Sequence, residues 1–223
     1  MTRTYFVTGT DTEIGKTASS CAILHAANRR GLATAAVKPV AAGCDEDGRN
    51  EDAVQLIDAM SETLDYDEVN PVALQEAIAP HLAAVHEGRE LQSAALAGKC
   101  RAVAAGRADL VLVEGAGGWR VPINASETLA DVARQLQAPV LLVVGMRLGC
   151  INHALLSAQA IAADGLTLAG WVANTIDPAM NCFEENLQSL HEWLPAPCLG
   201  TIPHLSPWSA QNAAKFVEID AIM

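Results

Sequence analysis

The feature that most constrains the fold is a set of short apolar runs that alternate with segments of helical periodicity. Residues 109–113 and 140–144 are almost wholly apolar, which is typical of strands that are covered on both faces. Between them, residues 129–136 place apolar side chains at helical spacing. The alternation predicts an α/β fold, a doubly wound and mostly parallel sheet with helices on both faces.

Further elements of the same two kinds are expected along the chain. Strands are predicted near residues 5–8, 33–37, 168–173 and 198–202, and helices near residues 17–30, 152–163 and 183–194. Hydrophobic residues make up 51% of the 223 positions and charged residues 18%, so a large core is expected and disorder is not. No stretch of linker composition divides the chain, and we expect one domain over residues 1–223.

The net charge and the length of the apolar runs limit the classes of partner that the protein can have. The net charge of −12 disfavours nucleic acid and anionic membrane surfaces as partners, because both repel an acidic protein. The longest apolar runs, such as residues 139–144, have the length of a strand and are far too short to span a membrane. The start of the chain lacks the apolar region of a signal peptide, and the six cysteines form no Cys-x-x-Cys pair. We therefore expect a cytoplasmic protein with reduced thiols.

A glycine-containing loop lies between the first predicted strand and the first predicted helix. Residues 9–17 read Gly-Thr-Asp-Thr-Glu-Ile-Gly-Lys-Thr. Glycines allow successive amides to point at phosphate oxygens, Lys16 would reach the outer phosphates, and the Thr17 hydroxyl would bind magnesium. Five residues separate the two glycines where the common motif has four. A chance turn is the alternative, but the order of strand, loop, Gly-Lys-Thr and helix favours a nucleotide site.

Polar side chains follow several predicted strands at the edge where a ligand would bind. Lys38, Glu114, Gly145 and Asn174 all come just after a predicted strand, and the carboxyl ends of parallel strands meet at one edge. Glu114 precedes a glycine-rich segment, which suits a carboxylate that binds magnesium beside bulky phosphates. Asp52 belongs to an acidic stretch that is equally compatible with a solvated loop.

Six segments of the chain resemble dethiobiotin synthetases, in the order that this family has them. They are residues 5–17, 38–43, 113–119, 148–155, 170–174 and 200–203. The resemblance implies a P-loop NTPase-like fold and an ATP- and Mg²⁺-dependent ligase of biotin biosynthesis. Such an enzyme makes the ureido ring of dethiobiotin from 7,8-diaminopelargonate and CO2, through a carbamate and a carbamic-phosphoric anhydride, and releases ADP and phosphate.

The resemblance also implies a role for each matching residue. The catalytic residues would be Thr12, Lys16 and Lys38, and the magnesium ligands Thr17, Asp52 and Glu114. The nucleotide would contact the loop residues Glu13, Ile14, Gly15, Lys16, Thr17 and Ala18, the metal-side residues Asp52, Glu114, Gly115, Ala116 and Gly117, and, around the base and ribose, Asn174, Thr175, Pro203, His204, Leu205 and Gln211. The substrate would contact Thr12, Lys38, Ala42, Gly149, Cys150 and Asn152. The last three would bind the substrate carboxylate in the partner's site of a homodimer.

Two positions depart from the family pattern. Ala42 stands where the family usually has a hydroxyl that contacts the substrate. Residues 174–177 read Asn-Thr-Ile-Asp, which resembles the base-reading motif of GTPases. An ordinary turn at Asp177-Pro178 is the interpretation that we favour for the second, so ATP should be used well and GTP at most tolerated.

Three alternative functions share parts of this pattern. A partitioning or nitrogenase-reductase-like ATPase would carry a signature lysine early in the loop, where this chain has Asp11. A GTPase switch would leave the segments around Lys38 and Cys150 without a task. A non-catalytic homologue would bind nucleotide without turnover, and the alanine at position 42 is compatible with it.

Overall fold

The computed structural model describes residues 2–223, and most of its strands form one sheet. In chain order the strands are β1 (Arg3–Gly9), β2 (Thr34–Val37), β3 (Ala41–Ala42), β4 (Ala73–Leu74), β5 (Leu110–Glu114), β6 (Val140–Met146), β7 (Leu168–Thr175) and β8 (Cys198–Ile202). The main sheet has the order β2-β5-β1-β6-β7-β8, and each neighbouring pair in it is parallel. A separate small sheet pairs β3 with β4.

Helices connect the strands in the manner of a doubly wound fold. They are α1 (Lys16–Asn28), α2 (Glu51–Ala59), α3 (Tyr66–Val69), α4 (Pro80–His86), α5 (Ser93–Ala104), α6 (Leu129–Leu136), α7 (Cys150–Ala163), α8 (Phe183–Trp193) and α9 (Ala210–Ala213), followed by 3-10 turns at Ala214–Phe216 and Asp220–Ile222. Within residues 2–223, no helix is long and apolar enough to cross a membrane.

The predicted fold class is confirmed, and its physical basis is visible in the central strands. All five residues of β5 and all seven of β6 are buried, as the uninterrupted apolar runs predicted. β1 lies between them, and the chain moves from β1 to β2 on one side but from β6 to β8 on the other. Such a reversal of strand order leaves a crevice at the carboxyl ends of the strands, where ligands bind in sheets of this kind.

The predicted elements are present, with bounds that differ by a few residues. Between residues 39 and 108, however, the sequence pattern assigned no element, and the structure has β3, β4 and four helices there. Asp52 consequently lies in the first turn of α2, so the alternative of a solvated acidic loop does not hold for this residue.

Candidate functional site

The phosphate loop, residues 10–15, leaves the end of β1 and leads directly into α1. Gly15 has φ +81°, and a Cβ there would lie 2.2 Å from Nδ2 of Asn174. The same Asn174 amide donates a hydrogen bond to the carbonyl of Ile14 at 2.9 Å. Ile14 is buried, and its side chain occupies the space above Gly145, where a Cβ would lie 2.5 Å from Ile14 Cγ2. The next two strands of the sheet on one side of β1 therefore shape the loop: β6 leaves room for Ile14, and β7 supplies the asparagine that supports it.

Glu114, at the end of β5, is the centre of a cluster of polar side chains. Glu114 accepts hydrogen bonds from the hydroxyls of Thr17 (2.7 Å) and Ser20 (2.6 Å), and from Nζ of Lys38 (2.7 Å). The Lys38 ammonium also donates to Asp52 Oδ2 at 2.8 Å. Glu114 is fully buried and Lys38 is 3% exposed, so their ion pair lies inside the protein, whereas Asp52, 43% exposed, lies at the solvent edge of the cluster.

The electrostatics of the cluster follow from burial and pairing. Burial by itself lowers the pKa of Lys38, but the carboxylates of Glu114 and Asp52 outweigh it and the pKa is raised. Burial likewise raises the pKa of Asp52, and the Lys38 charge outweighs it, so that the pKa is lowered. Lys16 has no such ion pair: burial, followed by repulsion from Lys38, lowers its pKa to about 8. Lys38 is therefore a fixed cation at neutral pH, and Lys16 would gain most from an anionic ligand.

Asp52 reaches the cluster because the start of α2 is fixed to the segment that follows Lys38. Asn50 is the N-cap of α2, and its side chain accepts a hydrogen bond from the Asp52 amide at 3.1 Å. Its Nδ2 donates to the carbonyl of Gly43 at 3.0 Å, and its own amide donates to the Tyr66 hydroxyl at 2.7 Å. The cap therefore fixes the helix and connects it to Gly43, in the segment that follows Lys38.

The predicted metal ligands fit a magnesium ion in chemistry. The Thr17 hydroxyl and the carboxylates of Asp52 and Glu114 are oxygen donors, the kind that Mg²⁺ prefers, and the Lys38 ammonium joins the two carboxylates. Within residues 2–223, no group of three or more His, Cys, Asp or Glu side chains is arranged to bind a metal. A magnesium ion here would thus depend on phosphate oxygens to complete its coordination, as is usual at nucleotide sites.

A cleft of about 890 Å³ opens beside the phosphate loop and the charged cluster. Its lining includes these predicted residues: Thr12, Glu13, Gly15, Lys16, Thr17, Ala18, Lys38, Ala42, Asp52, Ala116 and Gly117. Residues 77–80 and 120–122 form further wall, which is mostly apolar apart from Arg120. The structure therefore brings these predicted residues into one space, whereas Ile14, Glu114 and Gly115 do not line it, and Glu114 is buried behind Thr17 and Lys38.

The residues predicted for the base and ribose lie outside this cleft. Asn174 and Thr175 end β7, Pro203, His204 and Leu205 follow β8, and Gln211 is an exposed residue of α9. Asp177, the residue with the GTPase-like position, is exposed, and its carboxylate accepts a hydrogen bond from the Ala179 amide at 2.9 Å. This arrangement is an Asx turn, which agrees with the interpretation as an ordinary turn.

The amino end of α7, predicted to bind a carboxylate, also lies outside the cleft. Gly149 is its N-cap with φ +96°, and the Cys150 amide already donates to the carbonyl of Arg147 at 3.0 Å. Ile151 and Asn152 are then the first-turn residues whose amides the helix leaves without an internal acceptor. The Cys150 thiol is buried, so an anion could contact the backbone here but not the sulfur.

Besides the cleft wall at residues 77–80 and 120–122, sequence reasoning missed Ser20 and Arg147, which contact the charged cluster and the phosphate loop. Ser20 donates to Glu114, and its position three residues after Thr17 on α1 was a usable signal, because such residues share a helix face. Arg147 forms an ion pair with Asp11 of the phosphate loop. Nothing in the local sequence distinguishes Arg147 from an ordinary surface cation.

The chain is similar to curated proteins over nearly its whole length. A family model described as an AAA domain matches residues 3–212. The ATP-dependent dethiobiotin synthetase BioD of Pseudomonas aeruginosa (strain UCBPP-PA14) is 61% identical, over 97% of this chain and 95% of that protein. The protein of the same name from Cellvibrio japonicus (strain Ueda107) is 54% identical, over 99% of this chain and 98% of that protein.

Solved structures with a similar fold are far more distant in sequence. The septum site-determining protein MinD of Pyrococcus horikoshii, complexed with Mg-ADP, has a TM-score of 0.58 at 15% identity and covers 96% of this chain and 86% of its own. A ParA family ATPase of Chlorobium tepidum has a TM-score of 0.56 at 14% identity, with 96% and 91% covered. At such identities the likeness concerns the fold, and it does not favour a switch ATPase over a ligase.

Proposed function

Since the chain belongs to the dethiobiotin synthetase family, we propose that it uses ATP to form dethiobiotin from 7,8-diaminopelargonate and CO2, as a ligase of biotin biosynthesis. The observation that carries this proposal is the arrangement of Lys16 and Lys38 on one cleft, with Thr17, Asp52 and Glu114 beside them. Two cations next to a carboxylate pair suit a reaction in which a phosphoryl group moves onto an anionic oxygen.

The reaction divides into three bond changes. One amine of the substrate adds to CO2 and loses a proton, which gives a carbamate. A carbamate oxygen then attacks the γ-phosphorus while the bond to the β-phosphate oxygen breaks and ADP leaves. The second amine finally attacks the carbamate carbon, loses a proton and expels phosphate as the ring closes. Charge neutralisation and positioning are the main contributions required of the protein.

Lys16 and Lys38 would neutralise the oxygens between which the phosphoryl group moves. Lys16 would bind the outer phosphates, and burial already favours a ligand that supplies the missing negative charge. The three N–H donors of Lys38 are directed to Glu114, Asp52 and, at 3.3 Å, the carbonyl of Gly115. The long bond to Gly115 is the weakest of the three, so we expect a carbamate oxygen to replace that carbonyl.

Magnesium would be held by Thr17, Asp52 and Glu114. A bound Mg²⁺ would neutralise negative charge on the outer phosphates. Ser20 would then act as a positioning residue, because its hydroxyl fixes the second oxygen of Glu114 at 2.6 Å and leaves the first for the other partners.

A direct assay tests the proposed reaction. Phosphate release from ATP should depend on both the diamine and bicarbonate, and dethiobiotin should appear in equal amount. Phosphate release that does not respond to the diamine would favour an ATPase switch, and nucleotide binding without turnover would favour a non-catalytic homologue.

We further propose that the active site is shared between two subunits of a homodimer. The support is the amino end of α7, which lies outside the cleft of its own chain although the family resemblance assigns the substrate carboxylate to it.

Complementation between two variants tests the shared site. Lys16→Ala damages the phosphate side and Ile151→Pro the carboxylate side, and each variant should be inactive alone. Mixed and subunit-exchanged, they should regain about a quarter of wild-type activity, since half of the dimers are mixed and each has one intact site. The control is proof that each variant is folded, dimeric and able to exchange; no recovery would place the site within one chain.

A further inference from the structure

The connection between β5 and α6, residues 115–128, is held by a carboxylate of another helix. Asp164 is the C-cap of α7, and its Oδ2 accepts a hydrogen bond from the indole nitrogen of Trp119 at 2.7 Å. The guanidinium of Arg120 contacts the same carboxylate through two nitrogens, at 2.9 and 3.0 Å. The side chain of Asp164 is only 11% exposed. We refer to these residues as the Trp119–Arg120–Asp164 network.

An aspartate at this position is unfavourable for α7 itself. The carboxyl end of a helix carries partial negative charge, so a carboxylate there is repelled, and its near burial adds a desolvation cost. Two hydrogen bonds from the connection, both to the ionised carboxylate, and the ion pair with Arg120 offset these costs. The contacts of Asp164 therefore serve the connection and not the helix.

The part of the connection next to this network lies directly on the phosphate loop. A Cβ at Gly117 would lie 3.4 Å from the Thr12 hydroxyl, and a Cβ at Gly118 would lie 3.5 Å from the carbonyl of Gly9. Gly117 has φ +61°, and residues 115–118 contain three glycines, so this segment has little rigidity of its own.

Trp119 connects Asp164 to the sheet, and its neighbours in the chain line the cleft. It is 4% exposed, and its ring meets the edge of Phe6 in β1, with centroids 6.0 Å apart. Residues 116, 117 and 120–122, on both sides of it, line the cleft. The wall of the cleft is therefore fixed at Trp119 and Arg120, and Asp164 is the acceptor that both share.

We propose that Asp164 is a positioning residue for the diamine substrate, acting through Trp119 and Arg120 on the cleft wall at residues 115–122. The inference rests on the proposed function, because it takes this cleft as the diamine site. Without the carboxylate, the glycine-rich wall occupies its binding-competent arrangement for a smaller fraction of the time, which weakens the apparent affinity for the diamine. ATP would also contact residues 115–117 of this wall, but most of its contacts would be with residues 13–18, which β6 and β7 shape without Asp164.

The test compares Asp164→Ala and Asp164→Asn with a matched control. Asp220→Asn is that control, because it removes another Asp–Arg pair, with Arg30, at the protein surface. The measurements are the KM of the diamine, the KM of ATP and kcat, together with direct titration of the diamine in the presence of a non-hydrolysable ATP analogue. Asp164→Ala should raise the KM and the dissociation constant of the diamine about tenfold and change the KM of ATP less than twofold. Asp164→Asn, which keeps one acceptor for Trp119, should fall between the wild type and Asp164→Ala.

Arg120→Met provides the second arm, and it also applies if the Asp164 variants fail to fold. It should raise the diamine KM by itself, and the double variant Arg120→Met/Asp164→Ala should be no worse than Asp164→Ala, because both act through one network. Equal rises in both KM values, no rise, or additive effects in the double variant would each overturn the inference. If the wild type forms dethiobiotin and the Asp164 variants are unaffected, only this inference is refuted. If the wild type neither binds the diamine nor forms product, the proposed function is refuted and this role with it.

Discussion

Replacing Lys38 by methionine removes a buried charge while it keeps a long apolar side chain. The ammonium of Lys38 is the charged partner of Glu114 at 2.7 Å and of Asp52 at 2.8 Å. Removing one partner of a buried ion pair costs about 3–5 kcal/mol, because the other charge is left uncompensated. Glu114 keeps hydrogen bonds from the hydroxyls of Thr17 and Ser20, so we expect a loss near the lower limit, about 3 kcal/mol in the free energy of unfolding.

The same substitution should also lower turnover, independently of its effect on stability. Loss of one group that stabilises charge in the transition state costs about a hundredfold or more in kcat. The assay is phosphate release at saturating diamine and ATP, with the free energy of unfolding measured separately in urea. Turnover is read under conditions where the variant is fully folded.

Two further variants separate the charge effect from unfolding. Lys99→Met removes an exposed lysine of α5 and should change neither quantity. Lys38→Met combined with Glu114→Gln should recover much of the lost stability, because position 114 then carries no charge and Asp52 is 43% exposed, but it should not recover turnover. A kcat of Lys38→Met within a few-fold of the wild type would remove Lys38 from the mechanism. An unchanged free energy of unfolding in Lys38→Met would show that its ion pair with Glu114 makes no net contribution to stability.

Three other predictions follow from particular contacts. Asp131 accepts hydrogen bonds from the Thr128 amide and hydroxyl at the start of α6; these, with Arg134, outweigh burial and lower its pKa. Asp131→Asn should therefore cost about 1 kcal/mol in urea unfolding at neutral pH, and this difference should shrink as the pH falls below about 3.9, the ordinary pKa of aspartate, because the unfolded chain takes up its proton first; the difference is lost once the pH is below the lowered pKa of the folded protein. Gly145→Ala places a methyl group 2.5 Å from Ile14 Cγ2 and should cost about 1–3 kcal/mol and weaken ATP binding, whereas Gly98→Ala, with open space around it, should be neutral or stabilising. Asp177→Ala should leave the ratio of ATP to GTP turnover unchanged, since the carboxylate closes a turn; a strong GTP preference that vanishes in the variant would contradict this.

Local patterns were sufficient for the general architecture and for half of the site. The apolar runs of β5 and β6 and the helical spacing between them indicate a parallel sheet, because strands covered on both faces need helices on both sides. Lys16 and Thr17 could be assigned since the loop, its glycines and the following helix are contiguous in the chain. Glu114 could be assigned because the end of a buried strand is where parallel sheets bind ligands.

Only the tertiary structure decided which of these groups meet. β5 lies between β1 and β2 in the sheet, and this brings Glu114 and Lys38 together. Strand order depends on pairing between segments that are distant in the chain, so a local sequence pattern does not predict it. Asp52 was indistinguishable from its acidic neighbours until α2 and its Asn50 cap turned it toward Lys38. Asp164 had no signal at all, because a carboxylate at the end of a helix is unfavourable locally and is explained only by the Trp119 and Arg120 donors that the fold places against it. The sequence by itself thus determined the types of elements and the phosphate chemistry, whereas the partners of each buried charge were decided by packing between elements far apart in the chain.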